Sequence, residues 1–432
     1  MAEKHKRERF IVQGFVVPFL LVTVLFFMWG IPNNLNGVLI KQFMKSMELS
    51  RFEAGLIQSA FYLGYFLLAI PAAMLMRRYN YKTGIVFGLL LYAAGCLLFW
   101  PAAHIGQYGF FLMSLFVIAS GLAFLETGAN PFIAMLGNPS TSEQRLNFSQ
   151  AFNPIGSVTG VLLGTIFIFS GVEPGADEIA SMKLAGRYDS FLQQETMRVV
   201  KPYIFLAIFA VVWALLIIRT KFPQGVDTPS ASAGKRYDFK GLKQFPYFWK
   251  GVAAQFFYVG AQVGTWSYFI PYVQDYTGQP EKTAGYFLTG TLVAFGLGRF
   301  SATWFMRYMQ PVKLMAIYSL VNILLVVLGI TFPGWIGVWA VFFTSFFMSL
   351  MYPTIFAASI KGLGEYTKIG GSILVMAIVG GVVCTPLMGY MAEVTGSMAV
   401  ALCIPLLAYL YILYYSLYYL KSVVKKYIIH NS

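Results

Sequence analysis

The stretch Phe110–Leu136 reads FFLMSLFVIASGLAFLETGANPFIAML and holds one acidic residue, Glu126, with no Lys, Arg or His. It is long enough to cross the hydrocarbon core of a bilayer as a helix, which takes about 20 residues. A carboxylate at that depth costs about 3 kcal/mol or more and by default marks a functional site. The stretch therefore predicts a transmembrane helix whose carboxyl takes part in ion coupling, substrate binding, or both.

The whole chain has the composition of a polytopic membrane protein. Its 432 residues are 58% hydrophobic and 11% charged, whereas a soluble domain is about 25% charged. We predict an all-α integral membrane protein with twelve transmembrane helices, numbered below as spans 1 to 12. The predicted spans are residues 14–43, 53–76, 83–102, 108–136, 147–171, 199–218, 249–274, 284–306, 312–332, 335–360, 369–392 and 398–420.

The basic residues behind the net charge of +14 are spread unevenly between the two predicted sides of the membrane. When alternate connections are assigned to opposite sides, most of the 31 Lys and Arg residues fall on the side that holds both termini. The positive-inside rule then places both termini in the cytoplasm. We therefore expect a lipid bilayer, and no nucleic acid, as the partner of this charge.

Residues that would support metal, redox or enzyme chemistry are not grouped in the sequence. Cys96, Cys384 and Cys403 lie in apolar segments without metal-ligand spacing, and the three histidines lie at the termini or in a loop. No phosphate-binding Gly-Lys-Ser/Thr loop occurs in the sequence, which argues against transport driven directly by ATP hydrolysis. We expect no cofactor, no metal, no catalytic residues and no enzymatic activity.

A long polar connection divides the twelve spans into six and six. We predict a cytoplasmic tail over 1–13, a six-helix bundle over 14–221, a cytoplasmic linker over 222–248, a second six-helix bundle over 249–420 and a cytoplasmic tail over 421–432. Short motifs recur at equivalent spans of the two halves. Such parallel repeats are typical of the major facilitator fold, in which two bundles with pseudo-two-fold symmetry share a site near the midplane.

Polar residues at membrane depth in the first half are the first candidates for that site. Span 1 carries Pro32-Asn33-Asn34-Leu35-Asn36-Gly37, which predicts a kinked or broken helix lining a cavity, with Asn34 and Asn36 as ligands. In span 4, Glu126 and Asn130 are four residues apart and share a face. The alternative for all of these groups is hydrogen bonding that only holds helices together.

Span 5 and the second half supply the remaining candidates. Gln150 and Asn153 could share a face of span 5, although wetting at the membrane edge is an alternative. Tyr258, Gln262 and Trp266 lie in span 7 and Tyr352 lies in span 10. Amides and hydroxyls bind sugar hydroxyls, and an indole packs on the C–H face of a sugar. Packing or an interfacial aromatic belt is the alternative for the rings.

Several of these segments resemble the fucose:proton symporter family, the major-facilitator branch that also contains glucose/galactose transporters. They lie in both halves and cover nearly the whole chain. The carrying segments are Asn33-Asn34-Leu35-Asn36, Glu53-Ala54-Gly55-Leu56-Ile57-Gln58-Ser59-Ala60-Phe61-Tyr62, Leu125-Glu126-Thr127-Gly128-Ala129-Asn130-Pro131-Phe132, Tyr258-Val259-Gly260-Ala261-Gln262 and Tyr352-Pro353-Thr354-Ile355-Phe356.

The resemblance implies proton-coupled sugar uptake across the bacterial cytoplasmic membrane. It implies that Glu126 is the family's intramembrane glutamate, which links sugar binding to protonation. The positions that resemble the family's cavity residues are Asn34, Gln150, Asn153, Gln262 and Tyr352. One departure is at Gly37, where the family commonly has a second protonatable aspartate.

We therefore predict a monomeric, alternating-access importer that moves a hexose or deoxyhexose of the fucose, galactose or glucose type together with a proton. Glu126 is the predicted coupling carboxylate. Because Gly37 removes the second carboxylate, sodium-coupled or uncoupled sugar movement is an alternative. A proton-driven exporter of lipophilic cations and a membrane sugar sensor are further alternatives, disfavoured by the amide-rich lining and by the short tails.

Overall fold

The computed structural model describes residues 14–136, 145, 148–222, 241–306, 308–361, 363 and 366–430. Within these ranges all regular secondary structure is helical. The predicted tail 1–13 and most of the predicted linker 222–248 lie outside the described residues.

Helices occupy each of the twelve predicted spans in the described part of the chain. Spans 1 to 4 and 6 to 9 are single helices: Val16–Ser46, Arg51–Arg78, Tyr81–Ile105, Tyr108–Met135, Val200–Arg219, Pro246–Thr277, Glu281–Phe305 and Pro311–Thr331. The other four are divided: Phe152–Leu163 with Gly164–Ile168, Trp335–Met348 with Met351–Ile360, Thr367–Met376 with Ala377–Val379 and Gly380–Thr395, and Met398–Ala401 with Cys403–His430. Two short helices, Ala176–Leu184 and Tyr188–Met197, lie between spans 5 and 6.

Ten helices of the described chain are long and apolar enough to cross a membrane. Spans 7 and 8 are not among them, although they are 32 and 25 residues long. Composition rather than length therefore separates them, and both carry polar side chains such as Gln255, Gln262 and Arg299. Helices that line a polar chamber are expected to be the less apolar ones.

Proline affects two spans differently. Span 1 runs as one helix from Val16 to Ser46 with Pro32 inside it, so the expected break at Pro32-Gly37 does not occur. Span 10 is interrupted just before Met351, and Pro353 lies in the first turn of the helix that follows. A proline is tolerated in a first turn because its missing N–H would have no intrahelical partner there.

Close packing of spans 1 and 5 depends on glycine. A Cβ on Gly156 would collide with the Phe27 carbonyl, and one on Gly160 would collide with the Ile31 carbonyl. The two backbones therefore approach one another directly, as small residues at four-residue spacing permit. This contact sets the distance at which polar side chains of the two helices meet.

Internal contacts divide the chain into two compact units. As far as the chain is described within these ranges, the first unit comprises Met1–Asn34, Gly64–Gly160 and Val200–Lys235. The second comprises Leu35–Leu63, Val161–Val199 and Arg236–Ser432. Spans 1, 2 and 5 thus contribute one part to each unit. The predicted division into bundles 14–221 and 249–420 stays a prediction.

Candidate functional site

Glu126 lies in the first unit on a protected face of span 4. At about 100° per residue, it is about 140–160° around the helix from Phe110 and Met113, whose side chains are exposed. The Glu126 residue is half-buried. Among the described residues, no hydrogen bond or ion pair holds its carboxyl. The acid is therefore turned away from the exposed apolar face and remains available to a ligand or a proton.

A short chain of amides joins spans 4 and 5 and ends on the backbone of Glu126. The Gln150 Nε2 atom donates to the Asn130 Oδ1 atom at 3.2 Å. The Asn130 Nδ2 atom donates to the backbone carbonyl of Glu126 at 3.0 Å. The structure thus brings three predicted residues together, and it holds Asn130 in a fixed orientation one helical turn from Glu126.

Asn34 and Asn153 join spans 1 and 5 within the same unit. The Asn34 Nδ2 atom donates to the Ser157 Oγ atom at 2.8 Å and to the Gly30 carbonyl at 3.1 Å. The Ser157 hydroxyl donates to the Asn153 carbonyl at 3.1 Å, and the Asn153 Nδ2 atom donates to the Phe26 carbonyl at 3.3 Å. Ser157 was not predicted, although its position four residues after Asn153 places it on the same helix face.

Asn36 lies in the second unit and in a different environment from Asn34. Its side chain is fully buried, and its Nδ2 atom donates to the Gln58 Oε1 atom at 3.2 Å. The Gln58 Nε2 atom in turn donates to the Ser267 Oγ atom at 2.8 Å. Asn36 therefore bonds spans 1, 2 and 7 together in this structure. Gln58 and Ser267 were not singled out as site residues from the sequence.

Tyr258 and Tyr352 meet edge to face, with ring centroids 6.0 Å apart. Tyr258 is fully buried, and its hydroxyl has no hydrogen-bond partner among the described residues. Buried polar groups are almost always hydrogen-bonded, so this hydroxyl is a ready donor for a ligand. Tyr352 is half-buried beside it. The two tyrosines thus form an aromatic pair between spans 7 and 10, and each ring carries a hydroxyl.

Trp266 is oriented by spans 8 and 10. Its Nε1 atom donates to the Ser345 Oγ atom at 2.9 Å, and the Thr291 hydroxyl donates to the same oxygen at 2.7 Å. The ring packs edge to face on Phe295, with centroids 5.2 Å apart. Gln262, one turn earlier, is half-buried, and no side-chain hydrogen bond within the described chain holds its amide. Gln262 is thus free to bind, beside a fixed indole.

The chain has no side chain at position 37, where the family commonly has aspartate. A Cβ on Gly37 would lie 3.3 Å from the Leu288 Cδ2 atom and 3.4 Å from the Trp266 carbonyl oxygen. The first distance is slightly tighter than ordinary packing, and the second is an ordinary van der Waals contact. The glycine therefore lets span 1 pack closely on spans 7 and 8 at the depth where a second carboxylate would otherwise stand.

Comparisons with known proteins extend over nearly the whole chain. Residues 18–383 match the Major Facilitator Superfamily model. The chain is 41% identical over 402 residues to the L-fucose-proton symporter of Escherichia coli (strain K12), covering 92% of each. It is 35% identical over 407 residues to the glucose/galactose transporter of Brucella abortus biovar 1 (strain 9-941), covering 93% of each. The crystal structure of a major facilitator superfamily transporter, FucP, in the outward conformation matches with a TM-score of 0.70 and 40% identity, covering 94% of this chain and 99% of that chain.

Proposed function

The chain belongs to the fucose:proton symporter family of the major facilitator superfamily, and from that premise we propose that it imports a neutral sugar together with a proton. The predicted resemblance and the predicted fold class, an all-α membrane protein of twelve transmembrane helices, are confirmed by these matches. Its relatives are named as transporters and not as enzymes. The proposed substrate is a hexose or deoxyhexose of the fucose, galactose or glucose type.

The observation that carries this proposal is the unpaired carboxyl of Glu126. It is half-buried and turned away from the exposed face of span 4, and nothing within the described residues holds its charge. Low dielectric surroundings favour the neutral acid, and entry of water favours the carboxylate. In the proposed cycle the acid takes a proton on the outer side, hydrogen-bonds a sugar hydroxyl while neutral, and ionises when water reaches it from the cytoplasm.

The proposed sugar site uses amides, phenols and one indole. Asn34, Gln150, Asn153, Gln262 and Tyr352 are supported by the family resemblance, and Asn36, Asn130, Tyr258 and Trp266 by their depth and chemistry. Gln262 and Tyr258 each have polar atoms that the described residues leave unbonded. Asn36 is closed off in this structure, so it can contact sugar only after spans 1, 2 and 7 separate. Asn36 is thus proposed as a ligand of another state of the cycle.

The proposal includes the setting in which the transporter works. The uneven distribution of Lys and Arg supports cytoplasmic termini, and bacterial relatives support the inner membrane. We propose a monomer in a lipid bilayer, in which bundles 14–221 and 249–420 alternate in access about a shared site.

The deciding experiment is uptake into proteoliposomes under two imposed gradients. Purified protein is tested with labelled L-fucose, D-galactose and D-glucose, first with an inward pH gradient and then with an inward sodium gradient. We expect accumulation of one of these sugars above its external concentration with the pH gradient alone. Equal, non-concentrative uptake under both gradients would refute proton coupling while leaving sugar transport in place.

Sodium-coupled or uncoupled sugar movement is the second candidate, and Gly37 favours it. Without an aspartate at this position, Glu126 is left as the proposed proton carrier. If one carboxyl is insufficient, the same experiment gives accumulation with sodium alone, or facilitated uptake that neither gradient drives.

A further inference from the structure

Lys45 joins three distant parts of the second unit through two carboxylates. Its Nζ atom lies 2.6 Å from the Glu195 Oε2 atom and 2.9 Å from the Glu281 Oε2 atom. Lys45 is at the end of span 1, Glu195 is in the helix Tyr188–Met197, and Glu281 is the first residue of span 8. One cation therefore holds two acids that lie 150 and 236 residues away in sequence.

Further hydrogen bonds fix both acids in this cluster. Glu281 accepts from the Gly171 backbone N–H at 3.0 Å, and its own backbone N–H donates to the Glu173 Oε1 atom at 2.6 Å. Glu195 accepts from the Gln42 Nε2 atom at 3.2 Å. The start of span 8 is thus tied to span 1 and to the connection between spans 5 and 6.

The ion pairs are buried, which makes them energetically consequential. Side-chain exposure is 11% for Lys45, 6% for Glu195 and 0% for Glu281. Removing one partner of a buried ion pair strongly destabilises the conformation in which the pair is buried, because the remaining charge is then out of water without a partner. A nearby exposed pair joins Arg51 to Asp275, with 24% and 31% exposure. Exposed pairs contribute little, since water and salt screen them.

We propose that Lys45 is an electrostatic latch that holds the outer ends of spans 1 and 8 together and must open in each transport cycle. The inference rests on the proposed function for its cycle and its orientation, in which these residues face the outside. Separation of the two ends exposes Lys45 and both acids to water, which restores their hydration. When the three charges are paired, they stabilise the arrangement in which the outer ends are closed. When water solvates them, the open arrangement does not leave any of them buried without a partner.

The cluster contains further charges that bear on the latch. Lys41, one turn before Lys45 on span 1, interacts electrostatically with Glu173, Glu281 and Asp275. This second cation balances part of the excess negative charge. Neutralising Lys45 leaves Glu195 and Glu281 facing one another with less compensation, so it should open the latch more than neutralising either acid.

The test measures outer opening directly, by the reactivity of a buried reporter cysteine. Thr165 is fully buried, and a Cβ on Gly285 of span 8 would collide with it. Thr165→Cys is placed in a chain whose three natural cysteines, Cys96, Cys384 and Cys403, are changed to serine. Right-side-out and inverted vesicles are treated with a membrane-impermeant maleimide, without sugar and without any ion gradient.

Lys45→Met should raise the labelling rate from the outside by about tenfold, and Glu281→Gln by about threefold, because each leaves a buried charge with fewer partners. Lys45→Arg keeps the charge and should stay near the parent rate. Arg51→Gln, in the exposed pair, should change the rate by less than about twofold. Each variant is first checked for a single symmetric gel-filtration peak, and Glu281→Gln decides the matter if Lys45→Met does not fold.

Three results would overturn the latch. One is labelling at the parent rate in the folded buried-pair variants. Another is an equal increase for Arg51→Gln. The third is labelling confined to inverted vesicles, because the proposal places these residues on the outer side. None of these results depends on sugar or proton, so a failed latch and a failed transport proposal are told apart by the uptake assay on the parent chain.

Discussion

Glu126 and Glu281 are both acids withdrawn from water, yet their surroundings are opposite. Glu281 is fully buried, with a lysine at 2.9 Å and a backbone N–H at 3.0 Å. Glu126 is half-buried, and within the described residues nothing pairs with its carboxyl. A carboxylate surrounded by donors bonds the elements that carry those donors to one another, whereas one without a described donor is available to a ligand. The comparison separates an acid that holds helices together from an acid that is open to a sugar or a proton.

The largest expected effect follows from removing the unpaired acid. Glu126→Gln should abolish proton-driven accumulation, because a glutamine carries no titratable proton. A pH gradient of about one unit is worth about 1.4 kcal/mol and supports roughly tenfold accumulation at one proton per sugar. The variant should reduce that ratio to one while still exchanging labelled for unlabelled sugar. Glu178→Gln, an exposed acid between spans 5 and 6, is the matched control; concentrative uptake that survives in Glu126→Gln would contradict the assignment.

The second prediction compares the two acids by stability. Glu281→Gln should lower the free energy of unfolding by about 1–3 kcal/mol, since it weakens charge-assisted hydrogen bonds at a buried site. Glu126→Gln should leave it nearly unchanged, because no described partner loses a bond. Melting temperatures of the two variants in the same detergent measure the difference. A larger loss for Glu126→Gln than for Glu281→Gln would show that Glu126, and not Glu281, is the acid that stabilises the fold.

A smaller effect is expected on substrate binding when the Gln262 amide is removed, since no described residue forms a hydrogen bond with that amide. Gln262→Ala should raise the sugar concentration for half-maximal uptake by roughly threefold to tenfold, the equivalent of one neutral hydrogen bond of about 0.5–1.5 kcal/mol. Gln310→Ala removes an amide from the exposed residue before span 9 and should have no effect. Equal half-saturation in both variants would remove Gln262 from the site.

The smallest effect is expected at Trp266. Trp266→Phe loses the hydrogen bond to Ser345 and should lower stability by about 1 kcal/mol, with a further loss of sugar affinity from the smaller ring. Trp213→Phe loses a bond of the same length, 2.9 Å to the Leu21 carbonyl, at a tryptophan that is not among the proposed site residues. Thermal melting should give similar losses for the two variants. Only Trp266→Phe should alter the sugar concentration for half-maximal uptake. An equal change in both variants would indicate that Trp266 only packs and does not contact the sugar.

Most of the fold could be predicted from the sequence because it depends on local composition. A run of about 20 apolar residues forms a helix in a bilayer whatever its neighbours are, since its backbone groups have no other partner there. Of the kink or break predicted at Pro32, the break does not occur. Span 1 packs against Gly156 and Gly160, and this contact accompanies a helix that runs without interruption past the proline.

The candidate site was predictable only by residue type. Depth and chemistry single out Asn34 and Asn36 equally. In the structure Asn34 bonds to Ser157 in the first unit, and Asn36 bonds to Gln58 in the second. Two residues that are two positions apart in a helix point in directions about 160° apart, so each meets a different neighbour. The partner depends on how the helices are rotated, which no local pattern records.

The sequence by itself determined the number of spans, the side proposed for the termini and the isolation of Glu126 among apolar residues, because each depends on the composition of one continuous segment. Only the tertiary structure decided that Lys45 holds Glu195 and Glu281 while the carboxyl of Glu126 is left without a described partner. The physical reason is that charge pairing acts over a few ångströms, and packing alone brings residues so distant in sequence within that range.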